Sequence, residues 1–586
     1  MRQWMVAAKK ADFYAIAEKF HVDPVVARII RNREVIGEKN IRIYLGGNLS
    51  DLSDPHQMKD MDRLVEILAQ KIRKQVRIRI IGDYDVDGVT SSHLFLTALQ
   101  RVGAKVDVVI PHRIQDGYGL SLHLLQQAKE DGVDTILTCD NGIAAIDEIA
   151  WAKAQKMTVL VTDHHAVPFE EHEGRRTEKK SLADAVVNPH QQDCGYPYKE
   201  LCGAGVAWNV IRVLYENYDM DKREAEDLLD FVAMATVCDV MSLTGENRIL
   251  VKEGLKRIRH TKNIGLQALM QACNVQPENI SAYHFGYVLG PCVNATGRLD
   301  TARHALRLFE TGQETEAEEI ARDLVDLNQE RKELTLQGVE MAKKLCEEGG
   351  YENDPVLVLF LPDVHESIAG LIAGRIREMY NRPVFVLTRG EEGVKGSGRS
   401  TENYSMYENM CGCAELFTKF GGHPMAAGLS LPEANVEKFR RKINENCPLT
   451  VEEVCPDIHI DMAMPVGYAS TELVHQFALL EPFGKDNPSP LFADRNLSIS
   501  RMWVIGKNRN VLRMSVLSEY GQPVPVIFFG DVETLFAYFT EKFGQEAVEN
   551  ALHGRKNRIL FSMVYTAKID FYQGNENLQL EMKYYR

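Results

Sequence analysis

The sequence lacks the long apolar runs that mark membrane proteins. Apolar residues make up 45% of the 586 residues, yet no stretch approaches the ~18 uninterrupted apolar residues that a spanning helix needs. The first residues, MRQWMVAAKKADFYAI, run directly into mixed amphipathic sequence without an apolar core and a small-residue cleavage site. We therefore expect neither a membrane span nor an export signal.

Closely paired cysteines are also missing. The eleven cysteines include no CxxC pair, and only Cys411 and Cys413 lie near each other in the sequence. Scattered cysteines are typical of thiols that are kept reduced in a cytoplasm, which is where we expect this protein. Structural zinc held by thiolates is disfavoured for the same reason.

Basic residues are not in excess, because the formal net charge is −15. This charge argues against a protein that coats nucleic acid through bulk positive charge. It does not exclude a nucleic-acid enzyme, because bound divalent cations would offset the negative charge of a carboxylate-rich site.

The pattern of apolar residues divides the chain into five segments and predicts an α/β protein with a β-barrel. Residues 1–75 are predicted to form an N-terminal cap of short helices. In residues 76–300, short β-branched runs alternate with helical patterns, which is typical of a parallel sheet. Residues 301–350 favour a long helical connector, and residues 351–450 repeat the α/β pattern on a smaller scale. Short strands between Gly, Asn and Asp turns in residues 456–586 indicate an OB-like barrel.

Three carboxylates follow the first predicted strand of the parallel sheet. Asp83, Asp85 and Asp87 repel one another, and this repulsion would raise their pKa values unless cations compensate. The string resembles the start of a calcium-binding EF-hand loop, but Leu94 stands where that loop needs Glu. A metal site is the favoured interpretation, and an Asp-rich turn that caps a helix is the alternative.

Further candidate ligands follow the next predicted strands. Asp140 closes the strand DTILTC, and Asp163, His164 and His165 follow the strand TVLVT. Because the carboxyl ends of parallel strands converge on one crevice, we expect these side chains to meet the three carboxylates. Asp239 follows the apolar run FVAMATVC and is a weaker candidate on pattern alone, because an Asp at this position could simply cap a turn.

The donor types predict which metal binds and what it does. Carboxylates with imidazole and without thiolate favour Mn²⁺ over Mg²⁺, while Zn²⁺ stays open. Five or six such ligands exceed the needs of one ion and indicate two ions ~3.5–4 Å apart. Such a pair activates water against a phosphoryl centre, so the sequence predicts phosphodiester hydrolysis.

The ordered motifs resemble those of the DHH phosphoesterase family. They are DYDVDG, TCDNG, the triplet Asp163-His164-His165 and ATVCDVMSL; the strings HESIAGLIAGRI, GSGRS and GGHPMAAG resemble the DHH-associated domain. Within this family, PHRIQDGYGL, GPCVNATGRLD, LNQERK and LEPFGKDNP resemble the RecJ exonucleases over nearly the whole chain. Cys292 in GPCVNA is a departure, because the family pattern usually has Arg there.

The resemblance implies a metal-dependent exonuclease of DNA repair and recombination. It would remove 5′-mononucleotides processively from single-stranded DNA in the 5′-to-3′ direction. Its partners would be single-stranded DNA, with a helicase and a single-strand-binding protein as further candidates. The implied catalytic residues are Asp140, His164 and His165, with His165 beside the scissile phosphate and Asp140 bridging the ions. The implied metal ligands are Asp83, Asp85, Asp87, Asp140, His164 and Asp239.

The resemblance also implies residues that bind the substrate. Arg113, Arg298, Ser397 and Arg399 match positions that hold a terminal 5′-phosphate, and His423 matches a substrate-contacting histidine. Guanidinium groups suit this role because their planar forks match phosphate oxygens. The structural alternatives are a loop charge for Arg113, a salt bridge for Arg298 and a flexible turn for Ser397.

In the predicted barrel, Lys507, Arg513, Phe528 and Phe529 are candidates for contacts with a single strand. Core packing is the alternative for the aromatic residues.

Two other functions fit parts of the sequence. A DHH phosphodiesterase for cyclic dinucleotides or very short oligonucleotides would use the same metals, but such enzymes generally lack the C-terminal barrel and the extended N-terminal cap. A non-catalytic scaffold with this fold would be expected to have degraded acidic motifs, whereas all of them are intact here.

Overall fold

The computed structural model describes residues 3–112, 119–172, 175–299, 301–390, 393–506, 509–572 and 574–586. The chain forms two compact units. The first contains residues 52–242 and 246–456, and the second contains residues 3–51, 243–245 and 457–586. In the described ranges, no helix combines the length and the apolar character needed to cross a membrane.

The strands in chain order are β1 (Trp4–Val6), β2 (Arg77–Ile81), β3 (Lys105–Val109), β4 (Thr135–Cys139), β5 (Thr158–Thr162), β6 (Phe169–His172), β7 (Arg175–Glu178), β8 (Ala185–Val187), β9 (Leu357–Phe360), β10 (Val384–Gly390), β11 (Gly393–Arg399), β12 (Lys419–His423), β13 (Ala426–Leu431), β14 (Ile458–Ile460), β15 (Met462–Ala463), β16 (Phe492–Ile505), β17 (Val511–Leu517), β18 (Pro523–Phe529), β19 (Leu560–Tyr572) and β20 (Asn575–Tyr585).

The α-helices in chain order are α1 (Phe13–Phe20), α2 (Pro24–Asn32), α3 (Glu38–Gly46), α4 (Met61–Arg73), α5 (Val86–Arg101), α6 (Leu122–Glu130), α7 (Ile146–Ala154), α8 (Gly203–Asn217), α9 (Arg223–Glu226), α10 (Leu229–Cys238), α11 (Gly245–Ile258), α12 (Ile264–Ala272), α13 (Ala282–His284), α14 (Gly290–Leu299), α15 (Ala302–Glu310), α16 (Glu314–Glu348), α17 (Glu366–Tyr380), α18 (Met406–Cys411), α19 (Val436–Glu445), α20 (Thr471–Phe477), α21 (Val532–Phe543) and α22 (Gln545–Leu552).

The first unit contains the predicted parallel sheet. Its strand order is β3-β2-β4-β5-β8, and every neighbouring pair is parallel. Strand β4 is buried along its whole length, as expected where helices cover both faces of a parallel sheet. The carboxyl ends of β2, β4 and β5 therefore lie at one edge, where their following loops meet.

A second, smaller sheet in the same unit has the order β12-β13-β11-β10-β9. Strands β9 and β10 are parallel, and the other pairs are antiparallel. The apolar residues of α17 pack against one face, and those of α19 pack against the other. The chain between the two sheets is helical, as predicted, and α16 alone has 35 residues.

The second unit contains the C-terminal barrel. Its strand order is β15-β16-β17-β18-β20-β19, and an additional pairing of β16 with β19 closes the sheet on itself. Helices α21 and α22 separate β18 from β19. The alternating pattern of this region did not predict these two helices.

The N-terminal helices share the core of this barrel. Apolar residues of α2, among them Val26 and Ile30, belong to the same buried cluster as Phe492 and Leu512 of the strands. Strand β1 pairs in parallel with β14, and the ion pair between Arg33 and Asp461 has an N–O distance of 2.7 Å. The second unit is therefore built from two segments that are distant in the sequence.

Candidate metal centre

The loop after β2 carries the three carboxylates that the sequence singled out. Asp85 is the N-cap of α5, and its side chain accepts a hydrogen bond from the backbone N–H of Gly88 at 3.0 Å. A Cβ at Gly88 would lie 2.5 Å from the backbone N and O of Asp83. This close approach requires glycine and brings Asp83 near the start of the helix.

The loop after β4 places Asp140 in a strained backbone conformation. Its φ is +61°, a left-handed value that few non-glycine residues adopt and that is often found at functional sites. Asn141 stabilises this loop because its amide donates hydrogen bonds to the carbonyls of Ile81 and Cys139, at 3.1 and 3.0 Å. The ends of β2 and β4 are thereby linked.

Six of the predicted residues converge into one group, which we call the carboxylate cluster: Asp83, Asp85, Asp87, Asp140, His164 and Asp239. Donor atoms of Asp83, Asp85 and Asp140 all lie within 4.8 Å of one another, as do those of Asp87, His164 and Asp239. His164 Nε2 lies 3.1 Å from Asp140 Oδ1, 3.6 Å from Asp239 Oδ2 and 3.7 Å from Asp87 Oδ2. Asp140 thus belongs to the first triad and contacts His164 of the second, and Asp140, His164 and His165 form a third such group.

Burial and mutual repulsion change the protonation of this cluster. Burial, with Asp85 nearby, raises the pKa of Asp87 to about 6. Burial and four neighbouring carboxylates, chief among them Asp87, raise the pKa of Asp140 well above its ordinary value. Burial also lowers the pKa of His164 to about 4, so its imidazole is neutral. These shifts mean that the carboxylates cannot all ionise without a compensating positive charge.

The donor set fits divalent cations. The buried Nε2 of His164 has no hydrogen-bond partner within the described ranges, although it faces three carboxylates. A neutral imidazole nitrogen beside carboxylate oxygens is a donor set for Mn²⁺, Mg²⁺ or Zn²⁺. The carboxylate cluster could therefore hold metal, as the sequence predicted.

Asp163 has a different role from the cluster residues. One of its oxygens accepts hydrogen bonds from the backbone N–H groups of His164 and His165, at 2.7 and 3.0 Å, and contacts His165 Nδ1 at 2.8 Å. Burial would lower the pKa of His165, but the hydrogen bond and the charge of Asp163 raise it to about 9. Asp163 therefore orients His165 and keeps it protonated.

Asp239 comes from a helix end and not from a strand. It is the C-cap of α10, and its side chain is 27% exposed. The next residue, Val240, has a φ of +55°, which is an outlier for a β-branched residue. Asp239 therefore ends a helix, and its carboxylate reaches the cluster through His164.

The sequence analysis missed the N-terminus of α8. The backbone N–H groups of Gly203 and Ala204 donate to the two carboxylate oxygens of Asp87 at 2.6 and 2.7 Å. A Cβ at Gly203 would lie 2.6 Å from the Cβ of Asp140, so only glycine fits between the helix and the cluster. The available signal was the string Cys202-Gly203-Ala204-Gly205, a glycine-rich helix start.

Three of the predicted substrate residues lie around the first turns of α17. Arg298 donates a hydrogen bond to the carbonyl of Ser367 at 2.6 Å. A Cβ at Gly370 would lie 2.8 Å from Ser397 Oγ and 2.9 Å from Arg399 Nη2. The structure thus brings Arg298, Ser397 and Arg399 to one helix.

His423 lies farther along the same sheet. It is exposed and pairs with Ala426, which in turn pairs with Arg399. The side chains of His423 and Arg399 therefore lie in one row across β12, β13 and β11. Arg113 lies outside the described residues.

A groove of about 540 Å³ runs beside these residues. Tyr84, which stands between Asp83 and Asp85 in the sequence, lines this groove together with residues of the second sheet. A Cβ at Gly421 or Gly428 would meet nothing within 4 Å. We call this cavity the glycine groove. Its lining includes Tyr84, Lys395, Ser397, Lys419, Gly421, Gly428 and Ser430.

In the barrel, Phe528 is buried and belongs to the core, whereas Phe529 is 55% exposed and Arg513 is exposed. Trp503, which the sequence analysis did not single out, is 38% exposed and pairs with Arg513 across β16 and β17. Lys507 lies outside the described residues.

Three family models match the chain. They are described as "DHH family, N-terminal domain" over residues 77–236, "DHHA1 domain" over residues 353–447 and "RecJ OB domain" over residues 460–584. The single-stranded-DNA-specific exonuclease RecJ of Haemophilus influenzae is 32% identical over 582 residues, covering 96% of each chain. The chain belongs to the RecJ family.

Other comparisons agree with this membership. RecJ of Bacillus subtilis is 33% identical over 87% of this chain, although the match spans only 63% of that longer protein. The crystal structure of RecJ in complex with Mn²⁺ from Thermus thermophilus has a TM-score of 0.79 and 25% identity, covering 100% of this chain and 79% of that one. The predicted fold, with a parallel-sheet domain, a DHH-associated domain and an OB domain, is confirmed.

Proposed function

We propose that this protein is a metal-dependent exonuclease that hydrolyses single-stranded DNA from the 5′ end and releases 5′-mononucleotides. The observation that carries the proposal is the convergence of five carboxylates and one neutral imidazole at the edge of the parallel sheet. Membership of the RecJ family supports the substrate, since its relatives are named for single-stranded-DNA-specific exonucleases.

The grouping of donors supports a two-ion site. Asp83 and Asp85 would hold one divalent cation, Asp87, His164 and Asp239 would hold the other, and Asp140 would be shared between them. Mn²⁺ is favoured because His164 takes part, while the T. thermophilus relative has been crystallised with Mn²⁺ and with Mg²⁺. The N–H groups of α8 fix the carboxylate of Asp87, so this ligand needs no rearrangement when a cation binds.

The chemistry divides between the cations and the chain. When bound, a pair of divalent cations supplies a hydroxide at neutral pH and neutralises charge on the phosphoryl oxygens. His165 holds a proton because of Asp163, and with Nδ1 bonded to that carboxylate, Nε2 is the nitrogen that would donate to a non-bridging phosphate oxygen. This hydrogen bond would strengthen as negative charge builds on that oxygen in the transition state.

The glycine groove supports an exonuclease that reads a strand end. Its open backbone at Gly421 and Gly428 lets a sugar-phosphate chain approach closely. Lys419 brings positive charge to the lining, whereas Lys395 pairs with Glu366, also in the lining, at 2.8 Å. Arg298, Ser397 and Arg399 would bind a terminal 5′-phosphate beside α17, and His423 would contact the strand. Because Tyr84 joins the groove to the loop of Asp83 and Asp85, a nucleotide held in the groove would place its phosphodiester near the carboxylate cluster.

The exposed face of the barrel supports binding to a single strand. The guanidinium of Arg501 lies 5.7 Å from the ring centroid of Trp503, and Arg513 pairs with Trp503 on the neighbouring strand. Exposed aromatic rings between basic side chains stack bases and contact phosphates without reading sequence. A helicase and a single-strand-binding protein remain proposed partners.

The test uses the full chain with Mn²⁺ and single-stranded oligonucleotides labelled at either end. We expect a 5′ label to be released at once as a mononucleotide, a 3′ label to shorten progressively, and EDTA to stop both reactions. A blunt duplex should react more slowly than the single strand. Cleavage of cyclic dinucleotides with no action on the oligonucleotides would overturn the proposal, as would shortening from the 3′ end.

A further inference from the structure

Two cysteine thiols face each other in the first unit. The sulfur atoms of Cys273 and Cys292 lie 3.7 Å apart. Cys273 is the C-cap of α12 and is partly exposed, whereas Cys292 lies in α14 and is only 2% exposed. The two sulfur atoms of a disulfide lie ~2.05 Å apart, so a small approach of the Cys273 and Cys292 sulfur atoms would allow the bond to form.

The surroundings make these thiols unequal. A hydrogen bond with Cys292 lowers the pKa of Cys273, burial opposes this, and the Lys332 ammonium lowers it further. The same hydrogen bond and burial raise the pKa of Cys292. Cys273 is therefore the thiol that ionises first and meets solvent, which are the two properties of a reactive cysteine.

Side chains of the LNQERK motif complete the site. The amide of Asn328 donates a hydrogen bond to Cys292 Sγ at 3.3 Å, and Arg331 holds the same amide by donating to its oxygen at 2.7 Å. A donor aimed at a buried sulfur stabilises its thiolate, which is the form that attacks another sulfur. The cluster of Cys273, Cys292, Asn328 and Arg331, which we call the thiol site, has no part in the proposed hydrolysis.

We propose that the thiol site is a peroxide-reactive modification site in which Cys273 and Cys292 form a reversible disulfide that slows the nuclease. The Cys273 thiolate attacks one oxygen of hydrogen peroxide and breaks the O–O bond. The hydroxide that leaves takes up the proton that Cys273 lost on ionisation and departs as water. The product is a sulfenic acid at Cys273. The Cys292 sulfur then attacks the Cys273 sulfur, its proton joins the departing hydroxyl group, and a second water leaves. One peroxide is reduced and two thiols are oxidised.

The disulfide would act on the active site through α14. This helix supports the metal loop, because Asn294 Oδ1 accepts a hydrogen bond from the backbone N–H of Val86 at 3.2 Å. A Cβ at Gly297 would lie 2.5 Å from the carbonyl of Tyr84, and Arg298 contacts the start of α17. Pulling Cys292 toward Cys273 would shift these contacts. This consequence for activity rests on the proposed function, whereas formation of the bond does not.

The first experiment measures the bond alone. The reduced full chain is treated with hydrogen peroxide, thiols are blocked, and digested peptides are examined by mass spectrometry. We expect a cross-linked peptide pair containing Cys273 and Cys292, two mass units lighter than the reduced pair, in the wild type and in the exposed-thiol control Cys411→Ser. The pair should be absent in Cys273→Ser and in Cys292→Ala, and melting curves will show that both variants are folded. Oxidation of Cys411 without this cross-link would overturn the proposal.

The second experiment measures the consequence. Oxidised wild type should cleave single strands about 10- to 100-fold more slowly than the reduced protein, as expected for small displacements of catalytic groups, and dithiothreitol should restore the rate. Cys273→Ser should keep its reduced rate after the same treatment. A wild type with a complete cross-link and an unchanged rate would overturn the switch. A protein inactive in both redox states while the cross-link forms would contradict the proposed function instead.

Discussion

The carboxylate cluster and the glycine groove lie in one unit but are built in opposite ways. In the cluster, Asp83, Asp87 and Asp140 are at most 2% exposed, and backbone N–H groups fix the carboxylate of Asp87. In the groove, a Cβ at Gly421 or Gly428 would meet no atom within 4 Å, and the nearby side chain of His423 is exposed.

Under the proposed function, this contrast separates the residues that would carry out the chemistry from those that would bind the strand. Metal ligands keep their positions best when they are buried and held by further contacts, as Asp87 is by the N–H groups of α8. A strand that moved by one nucleotide after each cut would need a surface of backbone and exposed side chains. Substitutions in the cluster should therefore cost much more activity than substitutions beside the groove.

The largest effect is expected for Asp140→Ala. This change removes a carboxylate that belongs to one triad and contacts His164 of the other, so the rate of hydrolysis should fall by about 10³-fold or more at saturating Mn²⁺. Initial rates on a 5′-labelled single strand measure this effect. The exposed Asp147 in α7 provides the control, since Asp147→Ala should leave the rate unchanged. A nearly normal rate for Asp140→Ala would remove the basis of the comparison.

A loss of about 10²-fold is expected for Gly203→Ala. The added methyl would lie 2.6 Å from the Cβ of Asp140 and would push that carboxylate away from its partners. Gly205→Ala in the same helix is the matched control, because its Cβ would meet Leu201 at 3.4 Å, an ordinary contact. Titration with Mn²⁺ should show weaker binding only for Gly203→Ala. Equal rates for the two variants would contradict a tightly packed cluster.

Asp163→Asn should lower the rate about 10- to 100-fold through His165. In the wild type, Asp163 raises the pKa of His165 to about 9, so the imidazole stays protonated at neutral pH. In the variant, this pKa should fall toward its ordinary value of ~6.5, so the proton is lost at lower pH. The rate ratio of wild type to variant should therefore be larger at pH 8 than at pH 6. A ratio independent of pH would refute the role of the protonated imidazole.

The smallest effect is expected beside the groove, for Arg399→Lys. Lysine keeps the charge but loses the planar fork, so kcat/KM should fall about tenfold on strands with a 5′-phosphate. Strands with a 5′-hydroxyl should be cleaved with little change. Arg389→Lys is a control in the same sheet, because Arg389 pairs with Glu433 at the surface. A loss as large as that of Asp140→Ala would erase the difference between the two regions.

The sequence predicted the parts of the site that depend on local patterns. Asp83, Asp140 and His164 could be found because each follows a predicted strand, and parallel strands bring their ends together. Gly203 could not be found in this way, because its role depends on a helix start meeting Asp140 in space. Asp239 was ambiguous because a helix end and a turn share the same local pattern.

Long-range pairing was the other limit. The helical pattern of residues 3–51 shows which faces are apolar, but not that Val26 and Ile30 pack with Phe492. The pairing of β1 with β14 involves three residues in each strand, too few to give a periodic signal. The sequence did not predict helices α21 and α22, because the strand patterns on both sides of them favoured an all-β region.

The two-segment construction of the second unit affects how the chain folds during synthesis. The helices near the amino end leave the ribosome long before the strands whose core they complete, a delay on the order of tens of seconds at ~5–20 residues per second. Their apolar faces stay uncovered meanwhile, whereas the first unit already has all its own residues. A translation product that stops before the barrel would contain every residue of the carboxylate cluster, but its N-terminal helices would lack the strands that cover their apolar residues.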